Sequence, residues 1–506
     1  LSRSPLPPLG SGASDARFPI PREQRRPEVA NPSLLEFGTQ PVERYREVLG
    51  GDFERIERAV EVVRQDFEGR TVWHVSSTSL GGGVAEMLRS FLPYARDAGA
   101  ENQWVVLSEQ PEFFTITKRI HNKLHGHPGD GGPLGPDERA RYEEILTDSA
   151  TRLAEMIKPD DVVFLHDPQT AGLVPAVSRT GATTVWRCHI GVDRGNEHVR
   201  EAIDFLVPSV SHADAFVFSR GEYVWAELPL ERAHLMAPAI DAFSPKNQDL
   251  PAEAVAGMLG TIGLTGDRPS TPATFVRADG SIGKVERPAE ILQMEPVPDD
   301  AFLIAQISRW DVLKDHEGLL ECFTTYIDDE NAHLALIGPA SGAVADDPEG
   351  PAVHDRIFES WDRLPEQQRR RVHIVNLPMD DFEENGAMVN AIQRRADIVV
   401  QKSLVEGFGL TVAEAMWKGK PVVASAVGGI NDQIDDGLSG MLVEDPTDLE
   451  GFAAAFRALM DDPEMADRMG VEARDKVTRR FLAVPRLVEY AGLITSVGGR
   501  AATDAS

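Results

Sequence analysis

The chain has 506 residues, 42% of them hydrophobic and 26% charged, the balance of a soluble globular protein with room for two domains of about 200 to 250 residues. A formal net charge of −30 excludes nonspecific binding to nucleic acid, which needs basic surface, and no run approaches the ~18 apolar residues of a transmembrane helix. The only cysteines, Cys188 and Cys322, stand far apart, which fits a reducing cytoplasm better than a disulfide framework.

Residues 1–32 are rich in Pro, Arg and Ser without period and read as a flexible tail with no secretory apolar core. From Pro41 to Gly69, Tyr45, Val48, Leu49, Phe53, Ile56, Val60 and Val63 fall at helical spacing. Thr71–Ser76 then reads as a strand, running through Gly81-Gly82-Gly83 into a helix with Val84, Met87, Leu88, Phe91 and Leu92 on its apolar face. Three consecutive glycines are not the dinucleotide fingerprint, so the turn is either a ligand loop or tight packing of a helix on a sheet. His121 and His125 stand at i and i+4 on the next helix. A zinc site wants three or four ligands and His127 lies past Gly126, so no metal is expected and the pair reads as a polar wall or a surface helix.

Two apolar strands end in chemistry-bearing residues, one in His166-Asp167-Pro168-Gln169 and the other in His189. The carboxyl ends of buried parallel strands are where open α/β sheets keep their ligands. Polar sequence around 241–250 marks a domain junction. Residues 266–300 carry Pro, Gly and charge without a core pattern and read as an insertion. Alternation resumes at Phe302–Ser308 and continues through Leu334–Gly338, Val372–Asn376, Ala396–Ser403 and Pro421–Ser425. The expected fold class is α/β, with two Rossmann-like doubly wound domains facing across a cleft.

Two loops of the second half carry the chemistry. Arg309 and Lys314 follow a strand closely enough to grip one diphosphate, the first as a planar fork and the second as a mobile point charge. In Glu406-Gly407-Phe408-Gly409-Leu410-Thr411, the glycines admit a ligand to the backbone, and the amides of Leu410 and Thr411 open a helix whose positive end suits a phosphate. Glu406 is placed to meet a sugar and Glu414, one turn into the helix, to accept from a ribose diol.

Together with Ser79–Leu88, Phe113-Phe114, Thr117-Lys118, His121-Asn122, His166–Gln169, Trp186–Ile190 and Glu406–Lys420, these motifs resemble retaining glycosyltransferases of the two-domain GT-B type, and more narrowly the glycosyltransferring trehalose synthases. The likeness spans roughly residues 70–490. It implies a tail at 1–32, an acceptor-side domain at 33–242, a nucleotide-sugar domain at 243–482 containing the 266–300 insertion, and a C-terminal segment, 483–506, returning to the first domain. It implies transfer of glucose from a nucleoside diphosphate-glucose to glucose, by front-face departure and with no metal or other cofactor. The partners are then a nucleotide sugar and a small sugar acceptor, with no nucleic acid and no membrane; a homodimer is compatible. The catalytic set so implied is His189, Glu406, Arg309 and Lys314. Gly82, Gly83, Gly407, Phe408, Gly409, Leu410, Thr411 and Glu414 join the donor site, and Asp167, His166 and Gln169 line the acceptor side. The 266–300 insertion and the N-terminal extension lie outside the family pattern, and Gly191-Val192-Asp193 places an Asp later than that pattern does. The competing readings are a trehalose phosphorylase, which has no ribose for Glu414 to hold, a related nucleotide-sugar-dependent glycosyltransferase with another acceptor, a glycoside hydrolase with paired carboxylates, and a nucleotide-sugar binder without turnover.

Overall fold

The computed structural model describes residues 32–79, 82–107, 111–266, 271–340 and 350–498. The expected tail, apart from its last residue, lies outside these, as do Leu80 and Gly81 of the glycine turn. Two seven-stranded sheets organise the chain. The first takes β1 (Ser33–Leu35), β2 (Thr71–Ser76), β3 (Glu101–Val106), β4 (Val162–His166), β5 (Thr183–Cys188), β6 (Ala215–Phe218) and β7 (Ala233–Leu235) in the order β1-β3-β2-β4-β5-β6-β7. All neighbours are parallel except β1, which runs antiparallel along β3. Strands β2, β4 and β6 are buried along their whole length, which is why β4 and β6 show in the sequence as apolar runs rather than as alternation.

A small antiparallel pair, β8 (Thr274–Val276) and β9 (Ile282–Lys284), precedes the second sheet. That sheet comprises β10 (Glu290–Leu292), β11 (Phe302–Ile307), β12 (Ala332–Pro339), β13 (Val372–Leu377), β14 (Ile398–Gln401), β15 (Val422–Ser425) and β16 (Met441–Val443), in the order β10-β13-β12-β11-β14-β15-β16. From β13 to β16 this is the Rossmann order, whose ligand crevice opens where the chain direction reverses, between β11 and β14. In the first sheet the same reversal falls between β2 and β4. The four loops that leave these strands are those of the glycine turn, His166–Gln169, Arg309–Lys314 and Glu406–Thr411.

The 266–300 stretch is not a coreless insertion. It supplies β8, β9 and β10, and Phe275, Val285 and Val297 are buried in the main core. Arg277 pairs with Asp381 at 2.6 Å and Glu383 at 3.0 Å, and the Glu286 and Arg287 amides donate to Glu384 at 2.7 and 2.9 Å. The strands are three residues long and each buries few side chains, so no period was visible in the sequence.

The chain crosses between domains twice, and the crossings lie side by side. Ile240 N–H donates to the Phe481 carbonyl at 2.9 Å and Ala483 N–H to that of Ile240 at 2.8 Å. Buried Asp241 accepts from the hydroxyls of Tyr45 and Tyr94 at 3.0 and 2.8 Å. Four helices matter below: α1 (Gly83–Asp97), α2 (Pro111–Leu124), α3 (Leu410–Trp417) and α4 (Arg486–Gly498). After the second crossing, α4 lies on the first domain, where Tyr490 stacks on Phe91 with 4.3 Å between ring centroids. Among the described residues no helix is long and apolar enough to cross a membrane.

Candidate active site

A cavity of about 380 Å³ opens between the carboxyl ends of the two sheets, with Gly82, Gly83, Asp167 and His189 on one wall and Arg309, Lys314 and residues 406–411 on the other. It adjoins a lobe of about 160 Å³ lined by Thr117, Lys118, His121, His166, Asp167, Gln169 and Arg309.

The Arg309 loop is built from β11 outward. Trp310 is buried and donates through Nε1 to the Pro339 carbonyl at 2.9 Å, pinning the loop to the sheet. Asp311 caps the following single turn by accepting from Leu313 N–H at 2.9 Å, and its other oxygen lies 3.4 Å from Arg309 Nη2. Burial pushes the Asp311 carboxyl up, but Arg309, Lys314 and Lys118 outweigh it and hold it at about 2, so it stays ionised and braces the cations.

The Glu406 loop is held on both sides. Glu406 Oε2 pairs with Lys314 Nζ and accepts from Gln401 Nε2 at 3.2 Å and Ser403 Oγ at 3.3 Å. Gln433 Nε2 donates to the Phe408 carbonyl at 2.5 Å, and from the first domain Tyr223 donates to the Gly407 carbonyl at 2.8 Å. A Cβ on Gly407 would lie 3.1 Å from the His189 carbonyl oxygen, so glycine is what lets the two domains touch here. Gly409 adopts φ 84° and starts α3, a left-handed turn that glycine enters freely. Leu410 and Thr411, the first residues of α3, line the cavity together with Arg309 and Lys314.

On the opposite wall, Asp167 takes a left-handed φ of 63° and accepts the His189 backbone N–H at 2.7 Å. Burial raises its carboxyl to about 7, against the pull of that N–H and of Arg187. Burial also drives the His189 and His166 imidazoles well below their ordinary range, with Arg187 adding to the effect. His121 and His125 both line the cavity and are held neutral by burial, His125 at about 4; they form a polar wall. His127 is exposed, and among the described residues no three His, Cys, Asp or Glu side chains gather to hold a metal.

Glu414 is placed differently from its sequence expectation. Its carboxylate is buried at 2.9 Å from Lys246 Nζ, and the same ammonium meets Glu86 of α1 at 2.7 Å. Lys246 and Glu86 line the cavity and Glu414 does not. The other site residues named from the sequence lie on the cavity or its lobe. The sequence left out Lys118, Glu86, Lys246, Asp311 and Tyr223. Of these, Asp311 sits between Arg309 and Lys314 and was readable as their counter-charge, and Lys118 and Glu86 lie inside motifs named above without having been given a role, whereas Lys246 and Tyr223 arrive from segments with no local signal. As a whole, the arrangement can hold a diphosphate between two cations and a helix N-terminus and present a sugar to carboxylate and imidazole groups.

The chain matches two family models, the trehalose synthase N-terminal domain over residues 74–225 and glycosyl transferases group 1 over residues 289–476. It is 36% identical over 425 residues to the trehalose synthase of Rubrobacter xylanophilus, covering 83% of this chain and 88% of that one. The chain belongs to the trehalose synthase family. A second trehalose synthase, from Pyrococcus horikoshii, is 31% identical over 463 residues, 91% of this chain and 98% of its own length. The α,α-trehalose-phosphate synthase (UDP-forming) of Burkholderia xenovorans, solved in complex with glucose-6-phosphate, superposes with a TM-score of 0.61 at 14% identity, covering 84% of this chain and all of that one. The two sheets and the cleft between them are thus the GT-B fold of a glycosyltransferase related to trehalose metabolism.

Proposed function

We propose that this trehalose synthase family member transfers glucose from a nucleoside diphosphate-glucose to glucose, forming trehalose with retention and without a metal. The observation that carries the reading is the convergence of Arg309, Lys314, Glu406 and the first residues of α3 on one wall, facing His189 and the Asp167 lobe on the other. The bond from glucose C1 to the diphosphate oxygen breaks while Arg309, Lys314 and the amides take up the growing negative charge. A hydroxyl of the acceptor, seated in the lobe beside Asp167, His166 and Gln169, forms the new bond on the same face. Its proton passes to the departing phosphate oxygen. Glu406 orients the donor sugar, and Lys314 couples that carboxylate to the diphosphate because one ammonium serves both. The fixed cations supply the charge stabilisation that a divalent ion supplies elsewhere.

A trehalose phosphorylase has one observation on its side, since Glu414, expected on a ribose, lies behind Lys246. A product screen separates the two. Nucleoside diphosphate-glucose plus glucose, with and without EDTA, is expected to give trehalose at equal rates, and trehalose plus phosphate to give no glucose phosphate. The opposite pattern would replace the transferase with the phosphorylase, and turnover in neither arm would leave a binder.

A further inference from the structure

His189 stands at the cavity end of a row of three imidazoles. Its Nε2 lies 3.2 Å from Nδ1 of His166, and Nε2 of His166 lies 3.1 Å from Nδ1 of His74. Successive rings are nearly parallel, 16° and 22° apart, and lie edge to edge with centroids 5.5 and 5.4 Å apart. The row runs inward: His166 and His74 are buried, and His74 stacks on Phe164 at 5.0 Å with Tyr490 of α4 beside it. Burial and the buried Arg187 guanidinium alongside keep all three rings neutral.

A neutral imidazole carries one N–H and one bare nitrogen. Two ring-to-ring hydrogen bonds therefore lock the three tautomers together, with every N–H pointing either from His74 toward the cavity or from the cavity back into the core. The inner end decides between them. Nε2 of His74 is buried and has no hydrogen-bond partner among the described residues. With the row pointing outward, that nitrogen is an unused lone pair. With the row pointing inward it is a buried N–H with nothing to receive it, the costlier defect in a protein interior.

We propose that His74 and His166 are positioning residues that fix His189 as its Nδ1–H tautomer, so that the ring offers the cavity a hydrogen-bond donor. Its ligand is a hydroxyl oxygen of the bound sugar, an identity that rests on the transfer reading; the tautomer itself does not. His74, at the far end of the row from His189, thereby sets the polarity of a group that it never touches.

The test is ¹⁵N NMR of the full chain carrying ¹⁵N-imidazole histidine, with the His189 signals assigned by their loss in His189→Gln. The expected spectrum has a pyrrole-type Nδ1 and a pyridine-type Nε2 at His189. The reverse assignment, or two protonated nitrogens, overturns the proposal. His74→Asn, which can present an amide N–H in place of the imidazole Nδ1–H, is expected to keep the wild-type tautomer. His74→Asp, which only accepts, is expected to turn the row round and raise KM for the sugar donor about tenfold, as loss of one ligand hydrogen bond does. Should His74→Asp not fold, the wild-type spectrum decides alone. An Nδ1–H spectrum without sugar transfer would uphold this proposal and remove the transfer reading.

Discussion

Asp167 is a half-buried carboxyl on the cavity wall in a left-handed backbone conformation, and its pKa near 7 against an ordinary 3.8 has a measurable consequence. From about pH 4 to 7 the folded chain keeps a proton there that the unfolded chain has lost, so stability falls as pH rises through that window, and the full loss is present above it. Asp167→Asn keeps an acceptor for the His189 N–H and tolerates the left-handed φ. The variant should match wild type near pH 4 and exceed it by up to roughly 4 kcal/mol near pH 8, read by denaturant unfolding across pH; a constant difference would mean that the carboxyl is not desolvated. Lys314→Ala and Glu406→Ala each remove one side of a single ion pair. Each is expected to lower transfer about 10²-fold or more with the melting temperature little changed. Because the two groups touch, the double variant should lose much less than the product of the singles, which a double-mutant cycle on kcat/KM measures.

At the scale of elements, the cavity wall that carries Arg309 and Glu406 depends on α3 starting where it does. Gly409→Ala forces a side chain into φ 84°, with its Cβ 3.2 Å from Glu406 Cγ. The expected cost is ~1–2 kcal/mol in unfolding free energy, together with a raised KM for the nucleotide sugar because the first α3 amides move; an unchanged KM would take those amides out of the site. Elements such as this were legible in the sequence because β2, β4, β11 and β14 are short, mostly apolar runs and each is followed by a loop rich in glycine or polar residues. Arg309, Lys314 and Glu406 were legible for the same reason, since each lies within a few residues of a strand end. The β8–β10 segment was not, being made of three-residue strands pinned by Arg277 and Arg287 to carboxylates about a hundred positions away. Glu414 was half legible. Its spacing put it one turn into α3, but nothing near it in the chain announced the Lys246 ammonium that covers it.

At the scale of the molecule, Lys246 joins three parts that are separate in sequence: α1 through Glu86, the interdomain segment that carries it, and α3 through Glu414. When the cleft is closed two carboxylates meet there, and the lysine is the counter-charge that permits it. Lys246→Met is expected to lose ~3 kcal/mol, the scale for removing one partner of a buried pair, and to give a larger radius of gyration in solution scattering with nucleotide bound. Lys246→Met combined with Glu86→Gln should recover the compact form; if it does not, closure does not turn on this charge. In a second tie between the domains, Arg220 donates to Asp432 at 2.7 Å and also pairs with Asp193, whose other oxygen takes the Gly428 amide at 3.0 Å. The late Asp193 is thus a strut between domains.

The paired crossings at Ile240 and Leu482 set how any opening must proceed. Two strands of chain bonded edge to edge act as one axle, so the halves swing about a single line instead of sliding, and α4 travels as a rider on the first domain. A fluorophore on α4 and a second one on the helix Leu449–Asp461 would therefore read the swing directly, although both lie in the last sixty residues of the chain.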